Sequence, residues 1–167
     1  MDQALHLRPM HAGDEAFSRQ VYASTRAGEI ALTGWDAQTA EAFLRMQFDA
    51  QQHHYRQHYP AARFDIIEHG GVPVGRLYVA RSPSGIRVID IALLDAFRGK
   101  GIGTTLLHAL LAEADEANSS VSIHVEETNP ALTLYHRLGF RPIDTCGLYR
   151  LMEWRAPVTA STSQEPS

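Results

Sequence analysis

The residue pattern predicts a mixed α/β (α+β) fold around a mostly antiparallel central sheet of about seven strands, with helices on both faces. Three observations predict it. Short apolar runs at residues 64–68, 72–79 and 86–94 are separated only by turn residues, as in an antiparallel meander. A leucine-striped helical segment at 102–117 is then followed by an alternating run at 121–126, which makes a strand–helix–strand unit with parallel strands. Two longer segments of helical spacing precede the first hairpin.

The elements follow in order. Residues 4–9 read as a strand, Leu5 and Leu7 alternating with His6 and Arg8. Asp14-Glu15 opens a helix with Phe17, Val21 and Tyr22 on one face, and residues 28–35 read as a linker. Asp36 is placed to cap a long helix reaching to about Tyr59, where Pro60 closes it. His69-Gly70-Gly71 and Ser82-Pro83-Ser84-Gly85 are turns between the three meander strands. Leu106, Leu107, Leu110, Leu111 and Ala114 form the buried stripe of the next helix. Asn129-Pro130 reads as the start of a further helix, with Asn as its cap, and Gly139 as its C-terminal stop. Strands at 140–143 and 148–154 complete the sheet. Residues 1–155 are expected to form a single domain, and the Pro/Ser/Thr-rich 156–167 a disordered tail.

Bulk properties narrow the function classes. Hydrophobic residues make up 44% and charged residues 20% of the 167, an ordinary globular profile. The net charge of −4 is spread along the chain, and no Lys/Arg run builds a nucleic-acid surface. No apolar stretch approaches the ~18 residues of a membrane span, and the N-terminus lacks a signal-peptide pattern. The single cysteine, Cys146, fits a reducing compartment, so the expected location is the cytoplasm. His54 and His58 share a helical face but lack a third ligand nearby, and no metal is expected.

The chemistry-bearing feature is Arg98-Gly99-Lys100-Gly101-Ile102-Gly103-Thr104, between a strand end and a helix start. Unpaired N–H groups and the positive end of the helix dipole make that place suited to an anion. The spacing is neither the P-loop nor the dinucleotide fingerprint. The loop alone leaves open a plain turn, or a nucleotide- or phosphate-binding protein.

Two blocks together carry a family resemblance. Arg98 to Gly103 resembles the R-x-x-G-x-G/A signature of the GCN5-related N-acetyltransferases (GNAT). Asn129-Pro130-Ala131-Leu132-Thr133-Leu134-Tyr135-His136-Arg137-Leu138-Gly139-Phe140 resembles that family's later N-x-x-A-x-x-L-Y-x-x-x-G-F pattern, with one residue fewer between Asn129 and Ala131. The element order is similar from about Leu5 to Trp154.

The resemblance implies a sheet splayed between its two central parallel strands and an enzyme that uses acetyl-CoA. It implies transfer of the acetyl group to a primary amine, small-molecule or peptide, by direct attack in a ternary complex. Amides of Gly99, Lys100, Gly101, Ile102, Gly103 and Thr104 would hold the pyrophosphate, helped by Arg98. Ile91, Ala92 and Leu93 would line the pantetheine arm, with the Leu93 N–H polarising the thioester carbonyl. Asn129 would contact the arm, and Tyr135 would sit near the sulfur. The family often has Pro where this chain has Asp95.

Tyr135 is then the general-acid candidate. His124 stands where many members place a glutamate base, and Glu126 shares its strand face. Asp90 is a third choice of base. Glu29, Trp35, Gln47, Gln51, Tyr55 and Tyr59 are candidates to line the acceptor site. A non-catalytic acyl-CoA-binding module and a transferase of longer acyl groups are the alternatives. A homodimer is left open.

Overall fold

The computed structural model describes residues 4–157, so most of the expected tail lies outside the described residues. Seven strands form one sheet in the order β1-β2-β3-β4-β5-β7-β6. They are β1 (Leu5–Pro9), β2 (Arg63–His69), β3 (Val72–Ser82), β4 (Gly85–Leu93), β5 (Ser120–Glu126), β6 (Arg141–Cys146) and β7 (Tyr149–Arg155). The helices are α1 (Glu15–Ala31), α2 (Ala37–His58), α3 (Ile102–Glu116) and α4 (Leu132–Arg137). Contacts divide the described residues into two units. One takes the chain up to Ala80 with Ile89–Gly103, the other Arg81–Val88 and the chain from Thr104 onward.

In the first unit, β1 and β2 are antiparallel, as are β2 and β3. Val21, Tyr22, Phe48, Ile66, Ile67, Val74 and Tyr78 are buried. Asp36 caps α2 as its residue type requires, accepting the Thr39 N–H at 2.7 Å. Two readings change here. Helix α1 continues through Gly28 to Ala31, so the linker is shorter than residues 28–35. One glycine weakens a helix by only about 1 kcal/mol, which the packed turns before it outweigh. In β1, Leu7 is 38% exposed while Arg8 is half-buried. Arg8 donates to Asp14 at 2.7 and 2.8 Å and to Glu68 at 2.6 Å, an ion-pair cluster that alternation of apolar residues does not reveal. Arg8 holds the buried Asp14 carboxyl well below the usual carboxylate range.

In the second unit, β4 and β5 are parallel, paired from Ile86–Val121 to Val88–Ile123. The return through α3 supplies the long crossover that parallel strands need. Leu106, Leu107, Leu110, Leu111 and Ala114 are all buried, as their spacing predicts. Truncating Leu107 to Ala there would cost about 2–5 kcal/mol. On β5, Val121, Ile123 and Val125 are buried while Ser122, His124 and Glu126 occupy the other face.

The last strands differ from expectation. Strand β6 runs to Cys146 and joins β7 through a tight turn at Gly147-Leu148, so the expected loop after residue 143 is strand. Every β6 residue is exposed, so this edge strand carries no buried alternation to read.

Candidate functional site

Strand β4 ends at Leu93 and the glycine-rich loop does not follow it directly. A single 3-10 turn, Asp95–Phe97, intervenes. Ile91, Ala92 and Leu93 are half-buried at the strand end. Gly75 of β3 allows their position: a Cβ there would collide with the Ala92 carbonyl oxygen and lie 2.8 Å from Leu93 Cδ2. The sequence reading missed Gly75. The signal was available, since a glycine inside a strand marks a bulge or a close backbone approach.

The loop carries the geometry its composition suggests. Gly99 and Gly101 have φ of 74° and 84°, in the left-handed region that side-chain-bearing residues avoid. They turn the chain into α3, whose first residues are Ile102, Gly103 and Thr104. Gly103 is helical, so its role is not conformational, and a Cβ on it would meet no protein atom within 4 Å. Lys100 is exposed. Arg98 is engaged elsewhere: its Nε donates to the Leu93 carbonyl at 3.0 Å, Nη1 pairs with Asp95, and Nη2 reaches Ser24 Oγ at 3.3 Å. Its side chain closes the turn between strand and loop. Asp95 is its partner. The residues fit an anion of phosphate type: glycines that bring no side chain to a helix start, with a cation on the loop.

In the second unit, Asn129 is not the cap of α4. Its Oδ1 accepts the Ala131 N–H at 2.8 Å and its carbonyl the Leu132 N–H at 3.1 Å, so it closes a turn one step earlier. Helix α4 begins only at Leu132. Its far end is a Schellman motif. Gly139, at φ 101°, donates to the His136 carbonyl at 3.1 Å, and Phe140 donates to the Tyr135 carbonyl at 3.0 Å. The Tyr135 and Phe140 rings meet edge-on with centroids 5.6 Å apart, and Tyr135 is buried.

On β5, Arg87 of β4 donates from Nε to Ser122 Oγ at 2.7 Å, and its Nη1 lies 3.4 Å from His124 Nδ1. Partial burial and the Arg87 charge push the His124 pKa below its ordinary value, with Asp144 opposing them. A guanidinium only donates, so this contact favours the neutral imidazole with Nδ1 bare. Glu126 is half-buried two residues along the same face.

Asp90, the third choice of base, is paired with Arg76. Of the acceptor candidates, Gln51 accepts from Arg76 at 3.0 Å and Gln47 from the Tyr22 hydroxyl at 3.1 Å. Trp35 is half-exposed, edge-on to Phe43 with centroids 5.0 Å apart. Tyr55 meets Tyr78 at 5.9 Å, Tyr59 is half-buried, and Glu29 is an exposed partner of Arg26 at 3.3 Å. Among the described residues no group of three His, Cys, Asp or Glu side chains is arranged to hold a metal, and no helix is long and apolar enough to cross a membrane.

Comparison with known proteins bears on these parts together. The chain is 36% identical over 59 residues to an N-alpha-acetyltransferase of Sulfurisphaera tokodaii, and the match covers 34% of this chain and 35% of that one. It is 34% identical over 71 residues to an N-alpha-acetyltransferase of Saccharolobus solfataricus, covering 39% and 42%. These matches therefore span well under half the length of the curated relatives. Its fold is similar to that of the PaiA N-acetyltransferase of Thermoplasma acidophilum in complex with coenzyme A, with a TM-score of 0.67, 16% identity, and coverage of 92% and 99%. The family model of the acetyltransferase (GNAT) family matches residues 30–140, a span that holds the Gly99–Gly103 loop, the β4 end and the Asn129–Phe140 block. With both sequence blocks, the sheet order and this match in agreement, the chain belongs to the GNAT acetyltransferase family.

Proposed function

We propose that the chain is an N-acetyltransferase, with residues 1–155 acting as one catalytic domain, that transfers an acetyl group from acetyl-CoA to a primary amine by direct attack in a ternary complex. The observation that carries the proposal is the loop: two consecutive-but-one glycines in left-handed conformation turn the chain, without side chains in the way, into the start of α3, in the block that resembles the family signature. Acetyl-CoA supplies the acyl group as an activated thioester. The amides of Gly99 to Thr104 bind its pyrophosphate, and Ile91, Ala92 and Leu93 orient the arm, with the Leu93 N–H directed to the carbonyl oxygen. Asn129 contacts the arm. Tyr135 gives its phenolic proton to the departing thiolate.

His124 accepts the proton of the amine. Partial burial and then Arg87 favour its neutral form, the state a base needs, but Arg87 faces Nδ1, so proton uptake there, or the Nδ1–H tautomer that would free Nε2, requires the 3.4 Å contact to yield. Glu126, on the same face, is the alternative. The names of the two curated relatives favour a peptide α-amine over other acceptors.

The test is a library of peptide, amino-acid and polyamine acceptors with acetyl-CoA, read out by free thiol and by mass of the product. Acetylated product with stoichiometric thiol is expected. CoA binding without thiol release from any amine would identify a non-catalytic module. Faster turnover with a longer acyl-CoA would replace acetyl as the donor.

A further inference from the structure

The first unit buries a charged side chain. Arg76 of β3 is 1% exposed and ringed by Tyr22, Phe48 and Tyr78, its guanidinium carbon 5.7, 5.8 and 5.0 Å from the three ring centroids. Its Nη1 donates to Ser18 Oγ at 3.1 Å and to the Ser18 carbonyl at 3.4 Å. Its Nη2 donates to Gln51 and to Asp90 Oδ2, while Nε is buried without a partner. Burial works against the charge, but Asp90, then Tyr78 and Tyr55, outweigh it and hold the guanidinium above its ordinary pKa. Buried ion pairs can often be replaced by apolar residues without loss of stability, and an orphaned N–H is an added cost. Such a cluster is better explained by what it presents than by what it stabilises.

It presents Asp90. Arg76 fixes one carboxylate oxygen, and among the described residues nothing donates to the other, Oδ1. The Asp90 side chain is 20% exposed. Alternation puts Asp90 on the same face of β4 as Ala92, and the strand end at Ile91–Leu93 begins one residue later. We infer that Asp90 binds the amino group of the acceptor through Oδ1, and that Arg76 is a positioning residue that aims it. The ligand class is a primary amine, whose N–H bonds a prealigned carboxylate accepts. This inference rests on the N-acetyltransferase reading and adds an acceptor anchor to it, separate from the proton transfer assigned to His124.

The test uses a short synthetic peptide with a free α-amino group. Its binding to the protein saturated with CoA is measured by calorimetry, and its KM and kcat with acetyl-CoA are measured in parallel. Asp90→Asn is expected to weaken peptide binding and raise KM by about tenfold or more, while CoA affinity and kcat stay within about twofold. Arg76→Met should reproduce the KM effect, and the double variant R76M/D90N should be no worse than the worse single one, since the pair acts as a unit. If Asp90→Asn fails to fold, R76M/D90L replaces the pair with apolar groups and carries the same test. The charge-removing control Glu41→Gln, on the exposed surface of α2, should change neither KM nor CoA affinity. Unchanged peptide binding in D90N, or a parallel loss of CoA affinity, overturns the Asp90 assignment alone. A wild type that acetylates no amine overturns the enzyme reading and the anchor with it.

Discussion

Two neighbouring glycines of the loop should respond to the same substitution in opposite ways. Gly101 sits at φ 84°, and a Cβ there would meet no protein atom within 4 Å. Gly101→Ala therefore carries a backbone penalty alone, about 1–2 kcal/mol for a side-chain-bearing residue in the left-handed region. At about 2–4 °C per kcal/mol for a chain of this size, Tm should fall by roughly 2–8 °C. Gly103 also has open space around it, but its backbone is helical. Gly103→Ala should add up to about 1 kcal/mol of helix propensity and raise Tm by up to about 4 °C. CoA affinity should diverge as well. Amides that bind a charged group contribute about 1.5–3 kcal/mol each, so misaiming one at Gly101 should weaken CoA by about tenfold or more. Alanine at 103 satisfies the resembling signature and should leave affinity close to wild type. Calorimetric melts and CoA titrations of the two variants make the measurement. A Gly101→Ala protein that binds CoA as wild type does would refute the loop as the pyrophosphate cradle. A lowered Tm in Gly103→Ala would refute the account of its packing.

Other substitutions probe the remaining parts. Tyr135→Phe should lower kcat by about 10²-fold or more while leaving CoA affinity nearly intact, since only the proton donor is lost; unchanged turnover removes the acid role. His124 holds its proton less readily when folded than in the unfolded chain, so its contribution to stability is full above about pH 6.5 and is lost as pH falls through the lower folded value. His124→Gln should flatten that part of the Tm-against-pH curve and abolish the acidic limb of the pH–rate profile; a surviving limb assigns the base to Glu126 or another group. Gly75→Ala forces a Cβ against the Ala92 carbonyl and should cost about 1–3 kcal/mol, read from chemical denaturation, and more if β3 cannot shift. Gly139→Ala combines a φ of 101° with a Cβ 3.1 Å from Trp154 Cδ1, so it should lower both Tm and kcat while CoA affinity holds.

What was legible in the sequence was what repeats or what breaks a repeat. The leucines of α3 and the alternating β5 residues report their faces because burial there is one-sided and apolar. The loop reports itself because glycine at alternate positions has few structural uses. The acceptor side was legible only as a set of residue types. Arg76 and Asp90 lie fourteen positions apart on neighbouring strands, and Ser18 and Gln51 come from two helices. No local pattern distinguishes an arginine inside a strand from an exposed one until the aromatic residues around it are known. Arg98 shows a related limit: its charge suggests the loop, whereas the partners of its side chain, the Leu93 carbonyl and the Asp95 carboxylate, follow from no local pattern.

Helix α4 shows how a short signal serves two ends. Six residues are too few for a helix to persist by propensity, so α4 depends on its termini and on burial. The Asn129 turn supports one terminus, and the Schellman bonds from Gly139 and Phe140 support the other. The second of those bonds ends on the carbonyl of Tyr135, and the hydrophobic contact that accompanies the motif is the Tyr135–Phe140 ring pair. The residues that stop the helix thus fix the backbone and the ring of the proposed acid. Conformational selection for glycine at 139 and an aromatic at 140 is then indistinguishable, at the level of sequence, from selection for catalysis. That coupling explains why one block, Asn129 to Phe140, could identify the family although only Asn129 and Tyr135 in it are assigned a contact with the donor.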